Sequence, residues 1–159
     1  MVGTERDAPI HLVGGIAAFN EERCVANAIR SLLEQELPPG AQWTRIWVAV
    51  SGSTDRTREV VEALAGEDSR IGLLYEATRR GKSAALAELF RKVEGDFLVL
   101  LDGDSAAAPG AIRALLERAP TWSPSFAVMG RPIPPPDDGG LLRDEIGRAS
   151  CRERVSYHV

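Results

Sequence analysis

The sequence predicts an α/β fold with a doubly wound, mostly parallel sheet. Short apolar runs recur between residues 10 and 129, and most are followed by a turn and an amphipathic stretch. Units of this kind in series form parallel sheets with right-handed crossovers. The 159 residues are 44% hydrophobic and 26% charged, which is ordinary for one soluble domain with a buried core.

The first unit begins with the apolar run Ile10–Ala18, which predicts a strand. Asn20 follows as a candidate N-cap, so that Glu21 and Glu22 would occupy the first helical turn, where carboxylates favour the helix dipole. Apolar residues then recur at helical spacing from residue 25 to residue 33, and a Pro-Pro-Gly segment ends the helix.

The next units repeat this order. A strand at residues 45–50 precedes a polar turn at residues 51–55 and a helix with apolar positions 60, 61 and 64. A strand at residues 71–75 precedes a helix at residues 82–93. The run at residues 97–101 is continuously apolar, which predicts a strand buried on both faces.

The last predicted elements are a helix and a strand. Pro109 fits the first turn of a helix that buries Ile112, Leu115 and Leu116. Residues 126–129 are apolar and predict a fifth strand.

Three polar clusters follow predicted strands: Asn20-Glu21-Glu22, residues 51–55 and Asp102-Gly103-Asp104. Each alone is explained by turn and capping chemistry. Ligands of parallel sheets bind beyond the carboxyl ends of the strands, and all three clusters are expected at that edge. Together they predict a ligand site.

Asp102-Gly103-Asp104 is the sharpest of these signals. Two carboxylates held close together repel each other unless protons or a hard cation neutralise them. A divalent ion there could bridge to phosphate oxygens and stabilise a diphosphate leaving group. The alternative is a solvated turn in which Gly103 supplies flexibility.

Two phosphate-binding motifs are incomplete. Arg79-Arg80-Gly81-Lys82-Ser83 is similar to the end of a P-loop, but Glu76 stands where that motif needs a glycine. The basic cluster could still hold an anion at a helix start, or it could be a solvated helix start. Gly14-Gly15 lacks the third glycine of a dinucleotide fingerprint. Residues 51–55 supply small side chains and free amides suited to a nucleotide, or to a capping turn.

In order, these segments resemble family 2 inverting glycosyltransferases with the Rossmann-like GT-A fold. The resemblance is carried by Ala17-Ala18-Phe19-Asn20-Glu21-Glu22, residues 50–57, Gly81-Lys82-Ser83-Ala84-Ala85-Leu86 and Asp102-Gly103-Asp104. It implies transfer of a sugar from a nucleoside-diphosphate sugar to an acceptor hydroxyl, with Mn²⁺ or Mg²⁺ as the cofactor.

The resemblance also implies residue roles. Asp104, together with Asp102, would hold the metal ion. The nucleotide-sugar would be bound by Ala18, Phe19, Asn20, Glu21, Glu22, Ser51, Gly52, Ser53, Lys82, Asp102 and Gly103. Ser51 replaces an aspartate that the family uses to contact the base, which leaves the preferred base open. No residue is assigned as the catalytic base.

We expect residues 1–131 to be the nucleotide-sugar-binding part of a GT-A domain, and residues 132–144 to be a Pro/Gly-rich run-out. Residues 145–155 resemble the translation of a sequencing adapter, so residues 145–159 are expected to be a non-native tail. On this interpretation the chain is the front part of a larger domain and is weakly active or inactive.

Charge and hydropathy bound the partners. The net charge is −4 and the sequence shows no broad basic face, which argues against nucleic acid as a partner. No apolar run is long enough to cross a bilayer. The polar N-terminus lacks a signal peptide, so we expect a cytoplasmic protein, at the cytoplasmic face of the membrane if the full-length parent is anchored. Two alternatives are a non-catalytic nucleotide-binding module and an Asp-x-Asp phosphatase, although Ala106 replaces the threonine usual in the latter.

Overall fold

The main sheet has four parallel strands, with helices on both of its faces. The computed structural model describes residues 9–118 and the backbone of residues 132–133 and 153–155. The elements are β1 (Ile10–Ala18), α1 (Val25–Leu33), β2 (Ala41–Ser51), α2 (Thr57–Glu67), β3 (Ile71–Glu76), α3 (Lys82–Arg91), β4 (Phe97–Asp102), β5 (Ser105–Ala107), α4 (Ala111–Arg118), β6 (Pro132–Ile133) and β7 (Glu153–Val155).

The strand order β3-β2-β1-β4 places the direction change of the chain between β1 and β4. The first two crossovers move outward from β1 to β3, and the third returns past β1 to its other side. Crevices at such switch points are the usual ligand sites of open parallel sheets. The predicted doubly wound α/β fold is confirmed.

The larger core lies between the sheet and α1 and α2. Leu12, Ile29 and Val48 are completely buried in it. On the opposite face, Ala85 and Leu89 of α3 pack against Ala49 of β2. Burial on both faces explains why β1 and β2 are almost continuously apolar.

Element boundaries differ from the predicted ones where pairing is irregular. β2 begins at Ala41, earlier than the predicted residue 45, because its first residues pair with β1 across an irregularity between Leu12 and Val13. α3 ends at Arg91 and α4 begins at Ala111, two residues after Pro109. The predicted burial of α4 is confirmed at Ile112, while Leu115 and Leu116 are partly buried against the core.

The prediction that β4 is buried on both faces is wrong, because only Leu101 is buried in this strand, and the departure is largest at Leu100. Its side chain is 42% exposed. Among the described residues β4 is an edge strand that pairs with β1, and α3 packs mainly over β1 and β2. The apolar run therefore predicted the strand correctly, but it did not predict how much of the strand other elements bury.

The short strands form a second sheet in the order β5-β7-β6. β6 lies in the segment predicted to be a run-out, and β7 lies in the segment predicted to be a non-native tail. The predicted domain boundaries stay a prediction. The predicted strand at residues 126–129 lies outside the described residues. None of the helices in the described part of the chain has the length and apolar content needed to span a bilayer.

Candidate functional site

A cavity of about 260 Å³ opens at the carboxyl ends of the main-sheet strands. Its walls come from the ends of β1, β2 and β4, the segment before α3, and the start of that helix. The residues that line it are Ala17, Ala18, Phe19, Glu21, Ser51, Arg79, Gly81, Lys82, Ala85, Asp102, Gly103 and Asp104.

Most of the predicted site residues meet in this cavity. Those that line it are Ala18, Phe19, Glu21, Ser51, Lys82, Asp102, Gly103 and Asp104. The other predicted residues, Asn20, Glu22, Gly52 and Ser53, are not among its lining residues. Sequence reasoning missed Arg79 as a lining residue, although its place in the basic segment before α3 was a usable signal.

The prediction that Asn20 is the N-cap of α1 is wrong. Its φ of 55° is in the left-handed region, and α1 begins only at Val25. The Asn20 N–H donates to Ser53 Oγ (3.1 Å), and its Oδ1 accepts from the Thr54 N–H (2.8 Å). Asn20 and Ser53 therefore join the loops after β1 and β2 and support the cavity wall.

The acidic residues that follow continue this joint. The Glu21 N–H donates to Thr57 Oγ1 (2.8 Å), and the Glu22 N–H donates to Asp55 Oδ2 (3.1 Å). Glu22 accepts in return from the Arg56 N–H (3.0 Å). Burial raises the pKa of Asp55, but hydrogen bonds from Thr57 and Glu22 outweigh it and leave this pKa below its ordinary value. Glu21 and Glu22 precede α1 and do not lie in its first turn.

The Glu21 carboxyl is the strongly perturbed acid of the cavity. Its pKa is raised from 4.5 to about 7, first by burial and then by the negative charges of Asp104, Asp55 and Asp102. Carboxylates that repel one another in this way form a local excess of negative charge that a cation would relieve.

Asp102 and Asp104 flank a glycine that cannot carry a side chain. The Gly103 N–H donates to the Ala17 carbonyl (2.9 Å), and a Cβ on Gly103 would lie 2.9 Å from the Cβ of Ala18. The Asp-Gly-Asp turn is thus pressed against the end of β1. Lys82 Nζ lies 2.7 Å from Asp102 Oδ1.

A divalent cation is compatible with these residues only if the ligand shares it. Within residues 9–118, no three His, Cys, Asp or Glu side chains are grouped to hold a metal by themselves. Mg²⁺ sites commonly combine one or two carboxylates with substrate phosphates and water. Asp104 and Asp102 supply hard oxygen donors of that kind, and the neighbouring Glu21 adds negative charge when it is ionised.

Ser51 is a buried residue of the cavity wall, and its hydroxyl both donates and accepts a hydrogen bond. It donates to Glu76 Oε2 (3.1 Å) and accepts from the Arg80 N–H (3.2 Å). Arg80 also binds the Glu76 carboxylate through its guanidinium. The end of β2 is therefore tied to the segment that leads into α3.

Comparison with known proteins agrees with this architecture. The chain is 34% identical over 122 residues to the glycosyltransferase AglD of Haloferax volcanii, covering 75% of this chain and 19% of the relative. It is 30% identical over 95 residues to the beta-monoglucosyldiacylglycerol synthase of a Nostoc species, covering 58% and 20%. The chain thus spans about a fifth of the length of these relatives.

Solved structures show the same fold. The mannosyltransferase PcManGT of Pyrobaculum calidifontis, in complex with GDP-Man and Mn²⁺, superposes with a TM-score of 0.62 at 24% identity, covering 72% of this chain and 34% of that one. S. aureus TarS 1-349 gives a TM-score of 0.58 at 18% identity, covering 68% and 32%. The sequence profile described as Glycosyl transferase family 2 matches residues 15–153. Because that match spans most of the sequence, the chain belongs to glycosyl transferase family 2.

Proposed function

We propose that the chain binds a nucleoside-diphosphate sugar and belongs to an enzyme that transfers the sugar to an acceptor hydroxyl. The observation that carries this proposal is the meeting of Lys82, Asp102 and Asp104 in one cavity at the carboxyl ends of the strands. Family membership and the relatives named as glycosyltransferases support the reaction class.

The diphosphate end is assigned to the side of the cavity formed by β4 and α3. Lys82 is the first residue of α3, so its ammonium and the free N–H groups of the helix start both favour an anion. Its present partner, Asp102, is 51% exposed, which allows the ammonium to exchange that carboxylate for a phosphate.

Asp104 and Asp102 are the residues proposed to hold Mn²⁺ or Mg²⁺. When bound, such an ion would neutralise the diphosphate leaving group. PcManGT, which shares the fold, was solved with GDP-Man and Mn²⁺, and TarS 1-349 was solved with UDP-GlcNAc. This chain has Ser51 where an aspartate is expected, so the donor base has to be measured.

The acceptor and the catalytic base are not assigned. The expected cytoplasmic location and the association of a longer parent with a membrane stay predictions. Donor binding can be tested without them, because the residues proposed to bind the nucleotide-sugar lie within residues 9–118.

Calorimetry of the whole chain with UDP and GDP, with and without Mn²⁺, tests the proposal. We expect Mn²⁺-dependent binding of at least one nucleotide. Asp104→Asn should weaken it by about tenfold or more, equivalent to about 1.4 kcal/mol. Glu117→Gln, on the exposed side of α4, is the matched control.

Absence of nucleotide binding under every condition would contradict the proposal. Binding without release of nucleoside diphosphate from UDP- or GDP-sugars would instead fit a chain that binds the donor but does not catalyse transfer.

A further inference from the structure

Among the residues that the structure describes, Arg79 differs from the other cations around the cavity in having no acidic partner. Arg80 pairs with Glu76 and Glu88, and Lys82 pairs with Asp102. Within residues 9–118, no carboxylate lies within ion-pair distance of Arg79. Its Cζ instead lies 3.8 Å from the centroid of the Phe19 ring, and both residues line the cavity.

The backbone of Arg79 is held against the end of β2. A Cβ added to Gly52 would lie 2.4 Å from the Arg79 nitrogen, so the two segments touch directly. The next residue, Arg80, donates its N–H to Ser51 Oγ. The guanidinium of Arg79 packs against the Phe19 ring at cation–π distance, and no carboxylate among the described residues pairs with its N–H groups.

Arg79 and the Asp-Gly-Asp turn stand at opposite sides of the site. Arg79 is anchored on β2, whereas Asp102 ends β4, and β1 lies between these strands. Neighbouring strands are about 4.8 Å apart, which separates the two anchors by about 10 Å. A nucleoside diphosphate likewise carries a flat base at one end and its charge at the other.

We propose that Arg79 is a specificity-determining residue that donates hydrogen bonds to a carbonyl oxygen of the donor's nucleobase, with Phe19 fixing the guanidinium plane. This inference rests on the proposed function and deepens it. A guanidinium presents only donors, so it favours a base that has a carbonyl at the edge where uracil has O4 and guanine has O6. The exocyclic amino groups of adenine and cytosine present donors to the same edge.

The test is a calorimetric series with UDP, GDP, ADP and CDP in the presence of Mn²⁺, and with pyrophosphate as a ligand without a base. The wild-type chain should bind UDP or GDP about tenfold more tightly than ADP or CDP, a ratio in the range of one bidentate base contact. Arg79→Ala should remove most of this preference and leave pyrophosphate binding unchanged.

Two further variants separate geometry from charge. Arg79→Lys keeps the charge but loses the planar fork, so it should resemble Arg79→Ala, and Phe19→Leu should reduce the preference partly. Arg91→Ala, in the last turn of α3, is the control and should behave as wild type. Thermal unfolding of each variant checks that it remains folded.

Each remaining outcome has a distinct meaning. Equal weakening of pyrophosphate and nucleotide binding in Arg79→Ala would place Arg79 on the phosphates and overturn the inference. Full rescue by lysine, or an unchanged base preference, would overturn it as well. Failure of the wild-type chain to bind any nucleotide would instead overturn the proposed function.

Discussion

Lys82 Nζ lies 2.7 Å from Asp102 Oδ1, so the first residue of α3 is joined to the last residue of β4. The two side chains are 61% and 51% exposed. Exposed ion pairs of this kind contribute little to stability. The pair is therefore better suited to exchange with an anionic ligand than to holding the fold together.

Replacing Lys82 with methionine should separate binding from stability. We expect the dissociation constant for a nucleoside diphosphate to rise about tenfold or more, because a charge-assisted hydrogen bond contributes about 1.5–3 kcal/mol. The thermal midpoint should change little. Calorimetry and thermal unfolding measure both, with Arg113→Met, which breaks the exposed Arg113–Glu117 pair, as control. Equal nucleotide affinity in both variants would contradict the assignment of Lys82.

Glu21 should make stability depend on pH. Its pKa is raised to about 7 in the folded chain, above the ordinary 4.5, so between these values the folded state binds more protons than the unfolded state. The free energy of unfolding should therefore fall as pH rises from about 4.5 to above 7. This contribution is complete at low pH and is lost as Glu21 ionises.

Glu21→Gln removes the ionisation and tests this directly. Its thermal midpoint should exceed that of the wild type at pH 8, and the difference should shrink at pH 5. Glu117→Gln should show no such pH-dependent gain, since that side chain is exposed and paired with Arg113. A gain of the same size at both pH values would exclude ionisation of Glu21 as its cause.

Gly52→Ala should disturb Arg79 as well as the turn. Gly52 has a φ of 66°, and its added Cβ would clash with the Arg79 backbone. Gly40 has a φ of 83° but open space around it, so Gly40→Ala isolates the cost of the conformation. We expect about 1 kcal/mol of destabilisation for Gly40→Ala and at least about 2 kcal/mol for Gly52→Ala. Urea unfolding gives both values, and equal costs would show that the contact with Arg79 is unimportant.

The left-handed conformation of Asn20 should make alanine a more destabilising replacement than glycine. Asn20→Gly keeps the conformation accessible but loses the bond to the Thr54 N–H, whereas Asn20→Ala loses both. We expect Asn20→Ala to be about 1 kcal/mol less stable than Asn20→Gly in chemical denaturation. The reverse order would contradict a left-handed conformation at this position.

Sequence patterns predicted the main-sheet strands because apolar runs and turns are local signals. They also predicted that Ser51 and Asp102 meet, since the ends of parallel strands share one edge, whereas Lys82 was placed in the site by the family resemblance alone. They failed for Asn20, whose side chain is used by a loop 34 residues away in sequence. No local spacing encodes that partner. The predicted burial of Leu100 was wrong for a related reason, because it depends on where α3 packs and not on the neighbouring residues in the sequence.

Arg79 was overlooked because its significance depends on what it lacks. In the sequence it is one of three cations in Arg79-Arg80-Gly81-Lys82. Only the folded arrangement distributes Glu76 to Arg80 and Asp102 to Lys82, and places the Phe19 ring beside Arg79. The family motifs therefore located the cavity, while the distribution of its charges required the structure.

The hydrogen bonds between the loops after β1 and β2 give the cavity two unequal sides. The N–H groups of Asn20, Glu21, Glu22, Thr54 and Arg56 all donate across this junction, so neither loop can shift without breaking several bonds. The side of the cavity formed by β4 and α3 instead carries Lys82, whose long side chain is 61% exposed. A bound donor would thus meet a backbone held by hydrogen bonds on one side and an exposed lysine side chain on the other. The conformational entropy lost on binding would then come largely from Lys82.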